Sequence, residues 1–147
     1  MRLEPKGMQK NKPLKLVIDT NIWISFIISK NLNKLDDILI DKNTRLLFSS
    51  ELLQELEATI SKPKLQKYFA NNTLEEMLNV FDPYIDFINV SSKVNVCRDL
   101  KDDFLLALAK DAKADYLITG DKDLLDLGSF GHTIIIKITD FLAENRV

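Results

Sequence analysis

The sequence predicts an α/β/α sandwich: a mainly parallel sheet of four or five strands between two helical layers. Two observations carry the prediction. Short apolar runs alternate with longer amphipathic stretches along the whole chain, and strands alternating with helices give a parallel sheet covered on both faces. The runs themselves, such as Leu16, Val17 and Ile18, are apolar at consecutive positions, which is the pattern of a strand with no wet side. At 147 residues and 46% apolar, the chain suffices for a single domain with a substantial core.

The elements follow in order. Residues 1–13 are polar, contain Pro5, Gly7 and Pro13, and read as a flexible lead-in to one expected domain over 14–147. Residues 14–18 read as a strand and 20–29 as a helix. A second helix spans 33–41, with Leu35, Ile38 and Leu39 on its apolar side. Residues 45–48 form a strand, and Ser49 or Ser50 caps a helix over 51–60 that Pro63 interrupts. Helical stretches near 64–70 and 74–82 precede Pro83, and 85–90 make a third strand. Asp99 or Asp102 caps a helix running to about Lys113. Strands follow at 116–118 and 133–136, with a last helix from Thr139. Neither an internal repeat nor a low-complexity segment interrupts this pattern.

The bulk numbers exclude some functions. A net charge of −2 argues against a globally basic, nucleic-acid-coating surface, while leaving room for a local basic rim. No run approaches the roughly 18 apolar residues of a membrane span. Arg2, Lys6, Lys10, Lys12 and Lys15 are followed by no apolar signal core before Asp19, so a cytoplasmic protein is expected. The single cysteine, Cys97, fits a reducing compartment. Dinucleotide binding is excluded because no glycine-rich turn follows the first strand.

Sites in open parallel sheets form beyond the carboxyl ends of the strands, and acids gather at that edge in this sequence. Asp19 ends the first strand. Glu55 lies early in the helix after the second. Asp102 and Asp103 open the helix between the third and fourth, and Asp121, with Asp123 nearby, follows the fourth in ITGDKDLL. On a helical wheel Asp102 falls inside the apolar arc of Leu105, Leu106, Leu108, Ala109 and Ala112, and Asp103 falls outside it, beside Lys110. Around Glu55 the wheel does not choose between that residue and Glu57.

Carboxylates brought to one edge need a counter-charge: two unit charges about 5 Å apart repel by roughly 3 kcal/mol at an effective dielectric near 20. No histidine lies near these segments, and Lys122 is the one adjacent base. Protons or metal ions must fill the site, and an all-oxygen donor set suits Mg²⁺ or Mn²⁺ rather than Zn²⁺. Such clusters serve in-line displacement at phosphorus.

The stretches VIDTNIWISFI, SSELLQELEATISKPKL and CRDLKDDFLLALAKDAKADYLITGDKDLL together resemble the PIN domain family of metal-dependent ribonucleases, and within it the toxin components of bacterial toxin–antitoxin pairs. The likeness spans about residues 15–142. By position, the family's four acids fall on Asp19, Glu55, Asp102 and Asp121. The third follows from the family's small residue seven positions on, which is Ala109 counted from Asp102 and would be Lys110 counted from Asp103. Thr20, Asn21 and Thr119 fall at polar positions around the family's site, with Asp99, Asp103 and Asp123 as auxiliary acids. Leu100 stands where this subfamily has proline. The resemblance implies an endonuclease that leaves 3′-hydroxyl and 5′-phosphate ends on RNA, a homodimer, and inhibition by a separate antitoxin protein.

Plainer readings stand beside these. Asp19, Asp102 and Asp103 each suit a helix N-terminus, and Glu55 and Asp121 suit solvated surfaces. Lys62, Lys64 and Lys67 beside Tyr68 and Phe69 suit RNA by charge and stacking, or a solvated amphipathic helix. Lys93, Arg98 and Lys101 are candidates to line the substrate path. Trp23 reads as core or dimer surface, and Cys97 and His132 do not make a catalytic pair. The rival functions are a non-catalytic interaction module of the same fold and an aspartyl-phosphate phosphatase or receiver. The phosphatase pattern needs a second acid where Asn21 stands.

Overall fold

A computed structural model describes residues 12–29, 32–69, 73–95 and 102–145. Its centre is a six-stranded sheet of β1 (Lys15–Ile18), β2 (Arg45–Phe48), β3 (Ile85–Phe87), β4 (Tyr116–Ile118), β5 (Ser129–Phe130) and β6 (Thr133–Ile136), in the order β3-β2-β1-β4-β6-β5. All neighbouring pairs are parallel except β5 with β6. The expected architecture is therefore present, with one strand more than predicted. The extra strand is a two-residue edge piece, too short to show an apolar period. It pairs through a tight turn in which Gly131 takes φ 58, a conformation that glycine adopts without steric cost.

Leu16, Val17 and Ile18 of β1, and Leu117 and Ile118 of β4, are all within 1% of complete burial, because helices cover both faces. These helices are α1 (Thr20–Ser29), α2 (Asp36–Asp41), α3 (Ser50–Ile60), α4 (Thr73–Phe81), α5 (Asp103–Ala112), α6 (Lys122–Leu127) and α7 (Ile138–Glu144). Ser49 caps α3 as expected, its hydroxyl accepting the Leu52 amide at 3.2 Å. The helix predicted over 33–41 is instead a 3₁₀ turn, Leu32–Leu35, running into α2. The stretch after Pro63 is also 3₁₀, Pro63–Tyr68, with no side-chain cap at its start. Both are short segments, where tighter turns compete with an α-helix that has few bonds to close.

The third strand ends at Phe87, short of the expected Val90. Beyond it, the Ile88 amide still reaches the Phe48 carbonyl at 2.8 Å, and no further ladder bond follows among the described residues. Arg45 ties this edge strand down. Its guanidinium bonds the carbonyls of Pro83 and Ile85 and pairs with Asp86 at 2.7 Å. Trp23, read as core or dimer surface, is core: 1% exposed, with ring centroids 5.7 Å from Phe48 and 5.6 Å from Phe81. No helix among the described residues is long and apolar enough to cross a membrane.

Candidate active site

Pairing β1 between β2 and β4 puts the residues after β1 and β4 side by side at the carboxyl edge. Asp19 comes directly after β1. Its amide continues the ladder to the Ile118 carbonyl at 2.9 Å, and its own carbonyl accepts Ile22 and Trp23 to start α1. The side chain is thus fixed between a strand and a helix and is only 8% exposed. Burial pushes its carboxyl above the ordinary aspartate value, and the charge of Asp121 pushes the same way. The Thr119 hydroxyl and the amides of Asn21 and Thr20 oppose them. The bond from Asn21 is the N-terminal cap that the plainer reading foresaw, so capping and membership of an acid pair coexist in this residue.

Thr119 is completely buried and joins the two acids. Its hydroxyl donates to Asp19 Oδ2 at 2.6 Å and accepts the Asp121 amide at 3.0 Å. Asp121 in turn caps α6, with Oδ1 accepting the amides of Asp123 at 2.8 Å and Leu124 at 3.1 Å. A hydroxyl between the Asp19 carboxylate and the Asp121 backbone, with both carboxylates also held by helix amides, is a preorganised arrangement: neither acid can swing away without losing its hydrogen bonds. The Thr20 hydroxyl lies next to this pair, buried and without a hydrogen-bond partner among the described residues.

The acids of α5 differ from the wheel. Asp103, expected outside the apolar arc, is 6% exposed and buried. It lines a hollow of about 380 Å³ with Glu51, Ser92, Asn95 and Phe104. Asp102 is half-buried with its Oδ2 out of solvent, and occupies the position before the helix without a side-chain cap bond. The wheel fails here for two reasons: Asp102 precedes the first helical residue, so 100° spacing does not extend to it, and the segment after β3 lies on the side of α5 that carries Asp103, where both line one hollow.

Glu55 and Glu57 are both exposed on α3, so burial does not separate them either. Asn21 and Lys122 are exposed at the starts of α1 and α6, Asp123 is half-buried, and Lys62 and Lys64 are exposed before and within the 3₁₀ turn. Lys67 Nζ lies 5.1 Å from the centre of the Tyr68 ring. Cys97, Arg98, Asp99, Leu100 and Lys101 lie outside the described residues. The structure thus brings Asp19 and Asp121 together, and among the described residues no group of three His, Cys, Asp or Glu side chains is placed to hold a metal ion.

One feature left no trace in the sequence. Asp111, near the end of α5, accepts the amides of Ser91 at 2.6 Å and Ser92 at 3.0 Å and the Ser92 hydroxyl. These bonds, that of the Ser92 hydroxyl foremost, hold its carboxyl down to about 2. They staple the segment after β3 onto α5 across 19 and 20 residues of sequence, and no local pattern reports a contact at that separation.

Comparison with known proteins agrees with this architecture. The chain is 37% identical over 123 residues to the uncharacterized protein MJ1680 of Methanocaldococcus jannaschii, covering 82% of this chain and 78% of that one. The crystal structure of VapBC2 from Rickettsia felis, bound to a DNA fragment from their promoter, matches with a TM-score of 0.55 at 17% identity. That match covers 83% of this chain and 97% of that chain, and it shows a shared fold. The PIN domain profile matches residues 15–123, from the start of the central strand to just beyond the Asp121 cap, and the chain belongs to the PIN domain family.

Proposed function

We propose that this protein is a metal-dependent endoribonuclease, hydrolysing RNA phosphodiester bonds with Mg²⁺ or Mn²⁺, and that it is the toxin of a toxin–antitoxin pair. PIN domains are generally nucleases. What carries the finer reading is Asp19: a buried carboxylate at the end of the central strand, linked through the Thr119 hydroxyl to the backbone amide of a second aspartate, Asp121, whose charge acts on it. Folding alone gains little from such a pair, because burial and like charge both disfavour its ionised form.

The residues present fit a hard divalent cation. All their donors are oxygen, and Mg²⁺ is ordinarily held by one or two carboxylates, completing its shell with water and substrate phosphates. Asp19 and Asp121 would hold it, with Asp102 and Glu55 the further acids assigned to the site. When bound, the cation supplies charge neutralisation at the phosphodiester and a lower water pKa. The chain's own groups do the positioning. Thr119 orients Asp19, the amides of Asp123 and Leu124 orient Asp121, and Lys122, Lys62, Lys64, Arg98 and Lys101 are assigned to the RNA backbone.

An antitoxin partner, a homodimer and action in the cytoplasm belong to the same proposal. The VapBC2 neighbour, a toxin–antitoxin complex, supports the first of these. A second reading, a non-catalytic interaction module, is favoured by the exposure of Glu55 and by the absence of a three-acid group among the described residues. A long unstructured RNA incubated in Mn²⁺, with and without EDTA, decides between them. Cleavage is expected from the wild type in Mn²⁺, and none in EDTA or from Asp19→Asn. A folded wild type that leaves the RNA intact in both Mn²⁺ and Mg²⁺ is the result that favours the module.

A further inference from the structure

At the opposite edge of the sheet, where the strands begin, the chain builds a second surface that the acid pair does not use. Lys12 and Lys15 lead into β1, Asp115 into β4 and His132 into β6, so parallel pairing gathers them. Asp115 is the hub. Its Oδ2 accepts the Lys15 amide at 2.8 Å, its Oδ1 lies 3.3 Å from His132 Nε2, and its carbonyl accepts the Ile134 amide at 3.0 Å. Two hollows open around it. One, of about 470 Å³, is lined by Lys12, Lys15, Lys113 and His132. The other, of about 390 Å³, is lined by Lys110, Lys113, Phe130 and His132. Lys113 and His132 line both, so the two hollows adjoin.

On a chain of net charge −2, this is a concentration of cations. Among the described residues no carboxylate pairs with Lys12, Lys110 or Lys113. Lys15 Nζ instead lies 3.4 Å from the Ala112 carbonyl, at the end of α5. Lys113 stands in the left-handed region, at φ 56, directly after that helix. Backbone sterics favour glycine there; a lysine puts an ammonium at the junction of the hollows in spite of its backbone.

We propose that this surface binds single-stranded RNA, with Lys12, Lys110 and Lys113 taking phosphate oxygens and Phe130 and His132 offering faces to a base. Lysine suits phosphate as a mobile point charge, and stacking on a ring accepts any base. An acidic protein segment fits less well, because none of the large exposed apolar side chains (Ile40, Tyr68, Val80, Phe87, Leu127 and Ile134) lines either hollow. A protein partner would meet charge there without an apolar anchor. The choice of RNA rests on the nuclease reading and extends it: the substrate is gripped at the edge of the sheet remote from the acids.

The test is binding of an unstructured fluorescent RNA to the full chain in EDTA, followed by anisotropy over a range of salt. Lys113→Gly and the double variant Lys12→Ala/Lys113→Gly are compared with wild type. Each lysine removed should lower the slope of log K against log salt by about 0.7, and the double variant should bind about tenfold more weakly. Lys113→Gly should melt no lower than wild type, since glycine suits that φ, so lost binding cannot be ascribed to unfolding. Unchanged Kd and slope in both variants overturn the proposal. So does loss of binding to poly-glutamate in the variants with RNA affinity intact, which marks a protein-docking face. A wild type that cleaves no RNA in Mn²⁺, yet loses RNA affinity with Lys113→Gly, ends the nuclease reading and leaves this one standing.

Discussion

Replacing Thr119 by valine isolates the hydroxyl between the two acids. The substitution keeps side-chain shape at a site with no solvent exposure and removes a 2.6 Å bond to Asp19 and a 3.0 Å bond from the Asp121 amide. A hydrogen bond to a charged group contributes about 1.5–3 kcal/mol. The Asp121 amide is only part-buried, so water can replace its lost acceptor. The expected cost near neutral pH is therefore about 2–3 kcal/mol, and at about 2–4 °C per kcal/mol for a chain near this size, Tm should fall by about 4–12 °C. The pH dependence carries the sharper test. Burial already holds the Asp19 carboxyl above its ordinary value of 3.8, and the Thr119 bond works against that rise. Without the bond, the folded-state value rises further while the unfolded value stays put. Stability then falls with rising pH over a wider interval in the variant, from the unfolded value up to its own higher folded value. The deficit should open as pH rises and be complete above that value. It should shrink towards about 1 kcal/mol below about pH 3, where Asp19 is protonated in both proteins. Thermal melts in EDTA from about pH 3 to pH 8, with Thr119→Ser as the hydroxyl-keeping control, measure this. A deficit that is flat across the range, or that grows in acid, would refute the claim that the hydroxyl serves an ionised Asp19.

Two further outcomes follow from the acids of α5. Asp102→Asn should abolish Mn²⁺-dependent RNA cleavage while leaving the metal-free Tm unchanged or slightly raised, since a charge is lost and the side-chain shape kept. Asp103→Asn is the paired control, and retained cleavage by the Asp102 variant with loss in the Asp103 variant would transfer the role to the neighbour. Asp111→Asn should release the segment after β3, read as faster amide exchange at Ser91 and Ser92 with little change elsewhere. Because the folded carboxyl is held down to about 2, the staple's contribution is present above the ordinary aspartate value and lost as pH falls towards about 2. Protection of the two serine amides in the wild type should therefore decline only in strong acid, and an earlier decline would contradict the assigned bonds.

Much of the architecture was legible in the sequence because it rests on local rules. Consecutive apolar residues at 16–18, 46–48 and 117–118 announce strands buried on both faces, and an acid directly after the first and another three residues after the last mark the carboxyl edge where Asp19 and Asp121 are found. Strand order was not legible. That β1 lies between β2 and β4 is a pairing choice made by packing, and it is this choice that puts Thr119 within bonding distance of Asp19 across 100 residues of sequence. Short edge elements such as β5 carry too few residues for a period to show, and their existence depends on a neighbour to pair with. The burial of Asp103 is the clearest case of tertiary control. A helical wheel reports only the helix's own periodicity, whereas the side on which α5 is covered depends on where the chain after β3 runs, and the Asp111 staple holds it there. The types of residue at the active edge, and their place after strands, belong to the sequence. Which acids come together, and which hydroxyl ties Asp19 to the backbone of Asp121, belongs to the fold, because those contacts arise only once distant segments have paid their loop-closure entropy to meet.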